Sequence, residues 1–220
     1  MTVVPSDSLK PRKSPRQARS TVTVAAIFEA TFQVLLSEGI ARLTTTRVAQ
    51  RAGVSVGTMY QYFPHKQALL YAVLDQYLGD VVIAIEAACE QYEGASLREM
   101  SDGLCRAYLD AKLRHLPGSR ALYVVAAELD TADLVADVVR RTDQAITRVL
   151  MTASDAVFGD VETVTFALRS MLVGTVQAVL EKDGSPESLA ILRAQLPVMS
   201  RAYLLEASRS RPNARGEPAV

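Results

Sequence analysis

Apolar residues recur along this chain with a helical rather than a strand-like period. From about Ser20 to Ser37 the stripe is Val24, Ile27, Phe28, Val34 and Leu35. The methyl group of Thr31 fills the same row, and Glu29 and Gln33 lie opposite. The alternation over Thr21–Val24 is too short to compete with it. Gly39 supplies a C-terminal stop. After Pro64, the positions Leu70, Val73, Leu74, Tyr77, Leu78, Val81, Ile85, Ala88 and Cys89 describe one helix at about 65–92, longer than a small domain is wide. The pattern predicts further helices at about 96–116, ended by Pro117-Gly118, then 119–130, 133–158, 162–183 and 187–208. Asp160 and Ser185 are predicted N-caps, and Pro186 suits a first helical turn. No segment reads as a strand. The expected fold is all-α, with about nine helices.

Two of these helices are short and adjacent. Thr44 is the predicted N-cap of a helix through Ala52, Gly53-Val54 forms a tight turn, and Ser55 caps a second helix from Val56 to Tyr62 that Pro64 closes. Val48, Ala52, Val54 and Met59 are apolar where two crossing helices share a core, and Ala49 is small where their backbones approach. Two short helices about a glycine turn make a helix-turn-helix, whose second helix fits the major groove of DNA.

The charge distribution supports that reading. The formal net charge is +0, yet residues 1–66 carry nine Lys/Arg against three Asp/Glu, and the remainder fifteen against twenty-one. A basic first third on an acidic remainder is what one nucleic-acid face produces. Pro5, Pro11 and Pro15, with Lys10, Arg12, Lys13 and Arg16, make residues 1–18 an expected disordered basic arm, and 209–220 read as a disordered tail. The expected divisions are the arm, a DNA-binding domain at 19–66, an effector-binding and dimerisation domain at 67–208, and the tail.

Other classes fall away on composition. Cys89 and Cys105 are too few and wrongly spaced for a disulfide scaffold or a structural zinc site. They read as buried thiols in a reducing compartment. His65, read as a solvated turn residue, and His115, a structural helix-end residue, are the two histidines; no catalytic nucleophile motif, phosphate loop or metal spacing accompanies them. No enzyme activity, metal or cofactor is expected. No run approaches the ~18 uninterrupted apolar residues of a spanning helix, and the start lacks a secretory apolar core. The chain reads as cytoplasmic and nucleoid-associated, with no membrane partner.

The string from Thr44 to Lys66, TTTRVAQRAGVSVGTMYQYFPHK, resembles the helix-turn-helix of the TetR family of bacterial transcriptional regulators. That family pattern has a Thr-initiated helix, Ala-Gly-Val-Ser, a Gly-Thr-aliphatic-Tyr step, an aromatic pair and a lysine before a long apolar helix. The resemblance covers roughly Val24 to Leu70; beyond it only length and helical texture agree. Thr44 and Thr45, at a helix N-terminus, suit phosphate contact. Thr46 or Arg47 would reach a base edge, unless Thr46 is only a helix-start residue. Ser55 and Val56 open the second helix, Gly57 permits close approach to DNA, and Thr58 offers a hydroxyl to base or phosphate. The resemblance implies that Tyr60 binds phosphate, that Gln61 and Tyr62 face the bases, and that Lys66 anchors a phosphate. Gln61 is suited to adenine. Tyr62 has packing on the first helix as its alternative. Met59 and Phe63 are expected in the core.

In the C-terminal half, Thr163–Leu180 carries one charged residue, Arg169, and the small residues Ser170, Gly174 and Ala178. Leu189, Leu192, Leu196, Met199 and Tyr203 follow near-heptad spacing, and Pro197 is expected to kink the last helix. Helices apolar on more than one face imply a further packing partner. The resemblance likewise implies a homodimer through helices about 162–183 and 187–208. It also implies a small-molecule effector, and candidate lining residues are Ile85, Cys89, Tyr92, Leu104, Tyr108, Tyr123, Phe166 and Arg169. Arg169 either meets an anion or extends to solvent. The expected protein is a homodimeric repressor released from a pseudo-palindromic double-stranded operator by a small hydrophobic effector. Its alternative is a DNA-binding dimer that needs no effector.

Overall fold

The computed structural model describes residues 18–114, 116–182 and 184–210. His115, the tail beyond Ser210 and the basic arm apart from Ala18 lie outside them. Nine helices run through the described residues: α1 (Ala18–Glu38), α2 (Thr45–Ala52), α3 (Val56–Tyr62), α4 (Lys66–Gln91), α5 (Leu97–Leu113), α6 (Leu116–Glu128), α7 (Ala132–Met151), α8 (Val161–Lys182) and α9 (Pro186–Ala207). The chain divides into two compact units. The first runs to Gly79 and takes in His115–Asp137; the second comprises Asp80–Arg114 and the chain from Val138 onward. Helices α4 and α7 each contribute to both.

In the first unit α1 packs on α2 and α6, and α2 on α3. The core is formed by Ile27 and Val34 of α1, Leu43, Val48, Met59 and Phe63 around the helix pair, Leu69 and Leu70 of α4, and Leu122 and Val125 of α6. Thr31 is fully buried, and its hydroxyl donates to the Ile27 carbonyl at 2.7 Å. A threonine thus serves in an apolar row because its polar atom is satisfied within the helix. Tyr77 of α4 donates to Ser119 Oγ of α6 at 2.7 Å, tying those two helices.

In the second unit α9 packs along α5 and α8. Ser96 opens α5 with a capping box, its side chain exchanging hydrogen bonds with Glu99. Asp160 accepts from Thr163 N, and Ser185 from Ser188 N, as their sequence positions predict. Pro186 stands in the first turn of α9.

Four details correct the sequence reading. The helix expected over 133–158 stops at Met151, and Ala156–Phe158 forms a strand (β1) instead. It pairs antiparallel with a second strand (β2), Ser208–Ser210, in the register Ala156↔Ser210 and Phe158↔Ser208. Arg209 and Ser210, expected in the tail, therefore belong to β2, because the backbone past α9 finds partners about fifty residues back in the chain. Pro117 and Gly118 do not end a helix but sit in the first turn of α6, where a missing N–H costs nothing. Finally, the bilayer criterion changes. Ser20–Glu38, Lys66–Gln91 and Val161–Lys182 are each long and apolar enough, by length and composition, to cross a membrane. Each holds an eighteen-residue window with at most two charges, which interrupt the apolar run while the mean hydropathy stays high. The last helix runs through Pro197 from Pro186 to Ala207.

Candidate functional site

The helix pair α2–α3 is set by local chemistry. Thr44 has extended backbone, and its Oγ1 accepts from Arg47 N at 3.2 Å. Gly53 takes φ 68°, a left-handed conformation that a β-carbon would strain, and closes α2. Val54 N then donates to the Ala49 carbonyl at 3.0 Å. Ser55 Oγ accepts from Thr58 N at 2.9 Å and lies 2.8 Å from Thr58 Oγ1. Val48, Ala49 and Met59 are fully buried, as a shared core requires, and Phe63 packs against Phe28 of α1 with ring centroids 5.8 Å apart.

Around this core the predicted site residues separate into an exposed set and a held set. Thr44, Thr46, Arg47, Ser55, Val56, Gly57, Tyr60 and Gln61 are exposed, and Thr58 is half-buried. Gly57 has no internal reason to be glycine: its φ is ordinary, and an added Cβ would meet only Ser55 Oγ, at 3.7 Å. Thr45, expected to be free for phosphate, is buried and directs its hydroxyl to Tyr60 Oη at 3.4 Å. Tyr62 is half-buried and belongs to the packing around Phe63, 6.2 Å between centroids.

The cations are engaged within the chain. Arg47 donates to Glu38 at the end of α1 and to the Arg42 carbonyl. Arg51 Nε donates to Gln33 Oε1 at 2.6 Å. Lys66 Nζ donates to the Ile40 carbonyl. His65 is not simply solvated: its Nδ1 accepts from Ala68 N at 3.1 Å and caps α4. Glu38 and Gln33 escaped the sequence reading because their partners lie nine and eighteen residues away.

The eight pocket candidates differ in their surroundings. Ile85, Cys89, Leu104 and Tyr108 are buried, whereas Phe166 is 60% exposed. Tyr92 lies against Gly103, whose missing side chain makes room for the ring. Tyr123 belongs to the first unit and the other seven to the second. Arg169 meets an anion that the chain itself supplies: its Nε donates to Asp143 Oδ1 at 2.6 Å, and its guanidinium lies 5.5 Å from the Phe166 ring centre. A cleft of about 260 Å³ opens between α4 and α7, and Cys89 is the one candidate lining it. Burial pushes the Cys89 thiol up to about 12 and the Cys105 thiol to about 11, so both are protonated and unreactive at neutral pH. Lys112 of α5 is 5% exposed, and burial lowers its ammonium to about 8. Among the described residues no group of three metal-binding side chains occurs.

Residues 27–73 match the model of bacterial regulatory proteins of the tetR family, and residues 96–204 match that of the tetracyclin repressor-like C-terminal domain. Relatives include the nucleoid occlusion factor SlmA of Haemophilus ducreyi, 33% identical over 90 residues, covering 40% of this chain and 38% of that protein. A second is the HTH-type transcriptional regulator BetI 2 of Chromohalobacter salexigens, 32% identical over 84 residues, 38% of this chain and 41% of that protein. The chain thus matches about two-fifths of the length of these relatives. A solved putative TetR-family regulator from Mesorhizobium loti shares the fold with TM-score 0.65 at 19% identity, over 86% of this chain and 98% of its own. SmeT, the repressor of a multidrug efflux pump of Stenotrophomonas maltophilia, does so with TM-score 0.64 at 16% identity, over 90% and 100%.

Proposed function

The chain belongs to the TetR family of bacterial transcriptional regulators, and from that premise we propose that it is a homodimeric repressor released from a pseudo-palindromic operator by a small effector. The observation that carries the reading is the uncovered face of α2–α3. Thr46, Val56, Gly57, Tyr60 and Gln61 are exposed on helices whose opposite side is core. Inserted in the major groove, Gln61 would read a base edge, Gly57 would allow close backbone approach, and Thr44, Tyr60 and Lys66 would hold phosphates. Two such heads on one dimer would read half-sites about one helical turn apart.

Dimerisation is assigned to α8 and α9. Val173, Val198, Met199 and Leu205 are exposed apolar side chains there, and Ser170, Gly174 and Ala178 present small residues to a partner helix. Effector binding is assigned to the second unit, with α4 as the element that carries its influence to the first, since that helix contributes to both. An effector with about 1–3 kcal/mol of preference for one spacing of the heads changes operator affinity about 5–150-fold. The hydrophobic class expected of the effector rests on the buried Ile85, Leu104 and Tyr108. The protein would act in the cytoplasm, at the nucleoid.

Selection from a random DNA library with the purified chain tests the reading. Enrichment of an inverted repeat supports it, and enrichment of no sequence would refute it.

A further inference from the structure

Helices α4 and α7 lie side by side in the second unit and are joined at two levels. At the first, Arg141 Nε and Nη2 donate to the two carboxylate oxygens of Glu86 at 3.0 and 2.6 Å. At the second, just past both helix ends, Gly94 N donates to Thr152 Oγ1 at 2.9 Å. Both residue numbers rise from one level to the next, so the helices run parallel here. The cleft of about 260 Å³ lies beside this seam.

Its two walls carry opposite charge. One wall presents Glu90 of α4 and Glu93 of the turn just past its end, beyond Glu86, and the α7 wall presents Arg148 beyond Arg141. Glu86 and Glu90 on α4, and Arg141 and Arg148 on α7, recur at helical spacing, which keeps each pair on one face. Glu86 and Arg141 neutralise each other. The side chains of Glu90, Glu93 and Arg148 make no hydrogen bond or ion pair among the described residues. The rest of the lining is uncharged: Val149, 3% exposed, Cys89, 7% exposed, Ala145, and Gln144, whose Oε1 accepts from Arg140. A lone anion would meet two carboxylates beside its one guanidinium, and a lone cation would meet that guanidinium; a molecule bearing both charges satisfies both walls at once.

We infer that this cleft binds a small zwitterion, with its ammonium toward Glu90 and Glu93 and its carboxylate toward Arg148. A short aliphatic chain would cover Cys89 and Val149. Because its ammonium and carboxylate meet opposite walls, the molecule carries them at the two ends of its chain, as in an ω-amino acid, rather than on one carbon. The inference concerns binding alone and does not rest on the operator reading.

Isothermal titration of the full chain, without DNA, tests it with 5-aminopentanoate as the probe. Pentylamine and pentanoate serve as single-charge controls. Saturable one-site binding of 5-aminopentanoate is expected, with each control weaker by about tenfold or more. The variant Arg148→Gln, and separately the pair Glu90→Gln and Glu93→Gln, should lose about tenfold in affinity. All are surface changes, and an unchanged melting temperature identifies the loss as local. Absence of binding by 5-aminopentanoate, equal binding of a control, or variants that bind like the parent would each overturn the inference and leave the charged walls as solvated surface.

Discussion

The hydroxyl of Thr45, in the first turn of α2, donates to the phenol oxygen of Tyr60 on α3 at 3.4 Å. Although Thr45 is buried, Tyr60 is 45% exposed, so the bond joins the core of the helix pair to its outer face. Tyr60 is thereby oriented before any DNA arrives. Removing its hydroxyl in Tyr60→Phe should cost at most about 1 kcal/mol of stability. It should weaken binding to all DNA sequences alike, because a phosphate contact carries no base information. Anisotropy titrations on specific and scrambled duplexes, with a thermal melt beside them, check both parts.

On the proposed reading, Glu38 would compete with DNA for Arg47. The guanidinium that the sequence offers to a base edge is held by the Glu38 carboxylate and the Arg42 carbonyl. Glu38→Gln removes the competing charge. Operator affinity should rise at low salt, and the slope of log affinity against log salt should steepen by about 0.9, one additional phosphate contact. An unchanged slope would assign Arg47 to the joint between α1 and α2 instead.

Gly57 separates stability from recognition. A Cβ there meets nothing closer than Ser55 Oγ at 3.7 Å, so Gly57→Ala should stabilise the helix by up to about 1 kcal/mol. The same methyl group lies on the face assigned to DNA and should reduce operator affinity about tenfold or more. Denaturant melts and binding titrations should therefore move in opposite directions.

Much of the first unit was legible in the sequence because its determinants are local. The caps at Thr44 and Ser55 and the turn at Gly53 need only neighbours within a few residues, and Val48, Met59 and Phe63 fall at the spacings that two crossing helices bury. What the sequence hid is long-range. The β1–β2 pairing joins residues that share no local pattern, and three-residue strands are too short to alternate visibly. Arg169 looks solitary along α8, yet its counter-ion Asp143 stands on α7. Thr45 reads as a helix-start hydroxyl, and only the approach of α3 shows that it is covered. Lys112, at the polar end of an amphipathic helix, gave no sign of burial.

Lys112 makes stability depend on alkaline pH. Its folded-state value of about 8 lies below the ordinary 10.5, because burial penalises the charged form. Between those values the unfolded chain binds more protons than the folded one, so stability should rise with pH across that window. The full effect corresponds to about 3 kcal/mol. In Lys112→Met the rise should vanish, which urea unfolding at a series of pH values would reveal.

The apolar side chains on α8 and α9 predict a separable dimer interface. Val198 is 47% and Leu205 63% exposed in the single chain, so Val198→Glu with Leu205→Glu should alter the folding of each subunit by only about 0.5 kcal/mol per site. The pair should nevertheless convert a dimer to a monomer in light scattering coupled to size exclusion. A dimer that survives both charges would remove this face of α9 from the interface.

The central claim, that this chain reads sequence as a dimer, is tested most directly by one titration. Purified protein is bound to its own upstream intergenic DNA and to a scrambled duplex, followed by fluorescence anisotropy across salt concentrations. The account predicts two subunits per specific site and a preference for the intergenic DNA that persists when salt has weakened the scrambled complex. Equal binding to both duplexes, lost together as salt rises, would contradict it.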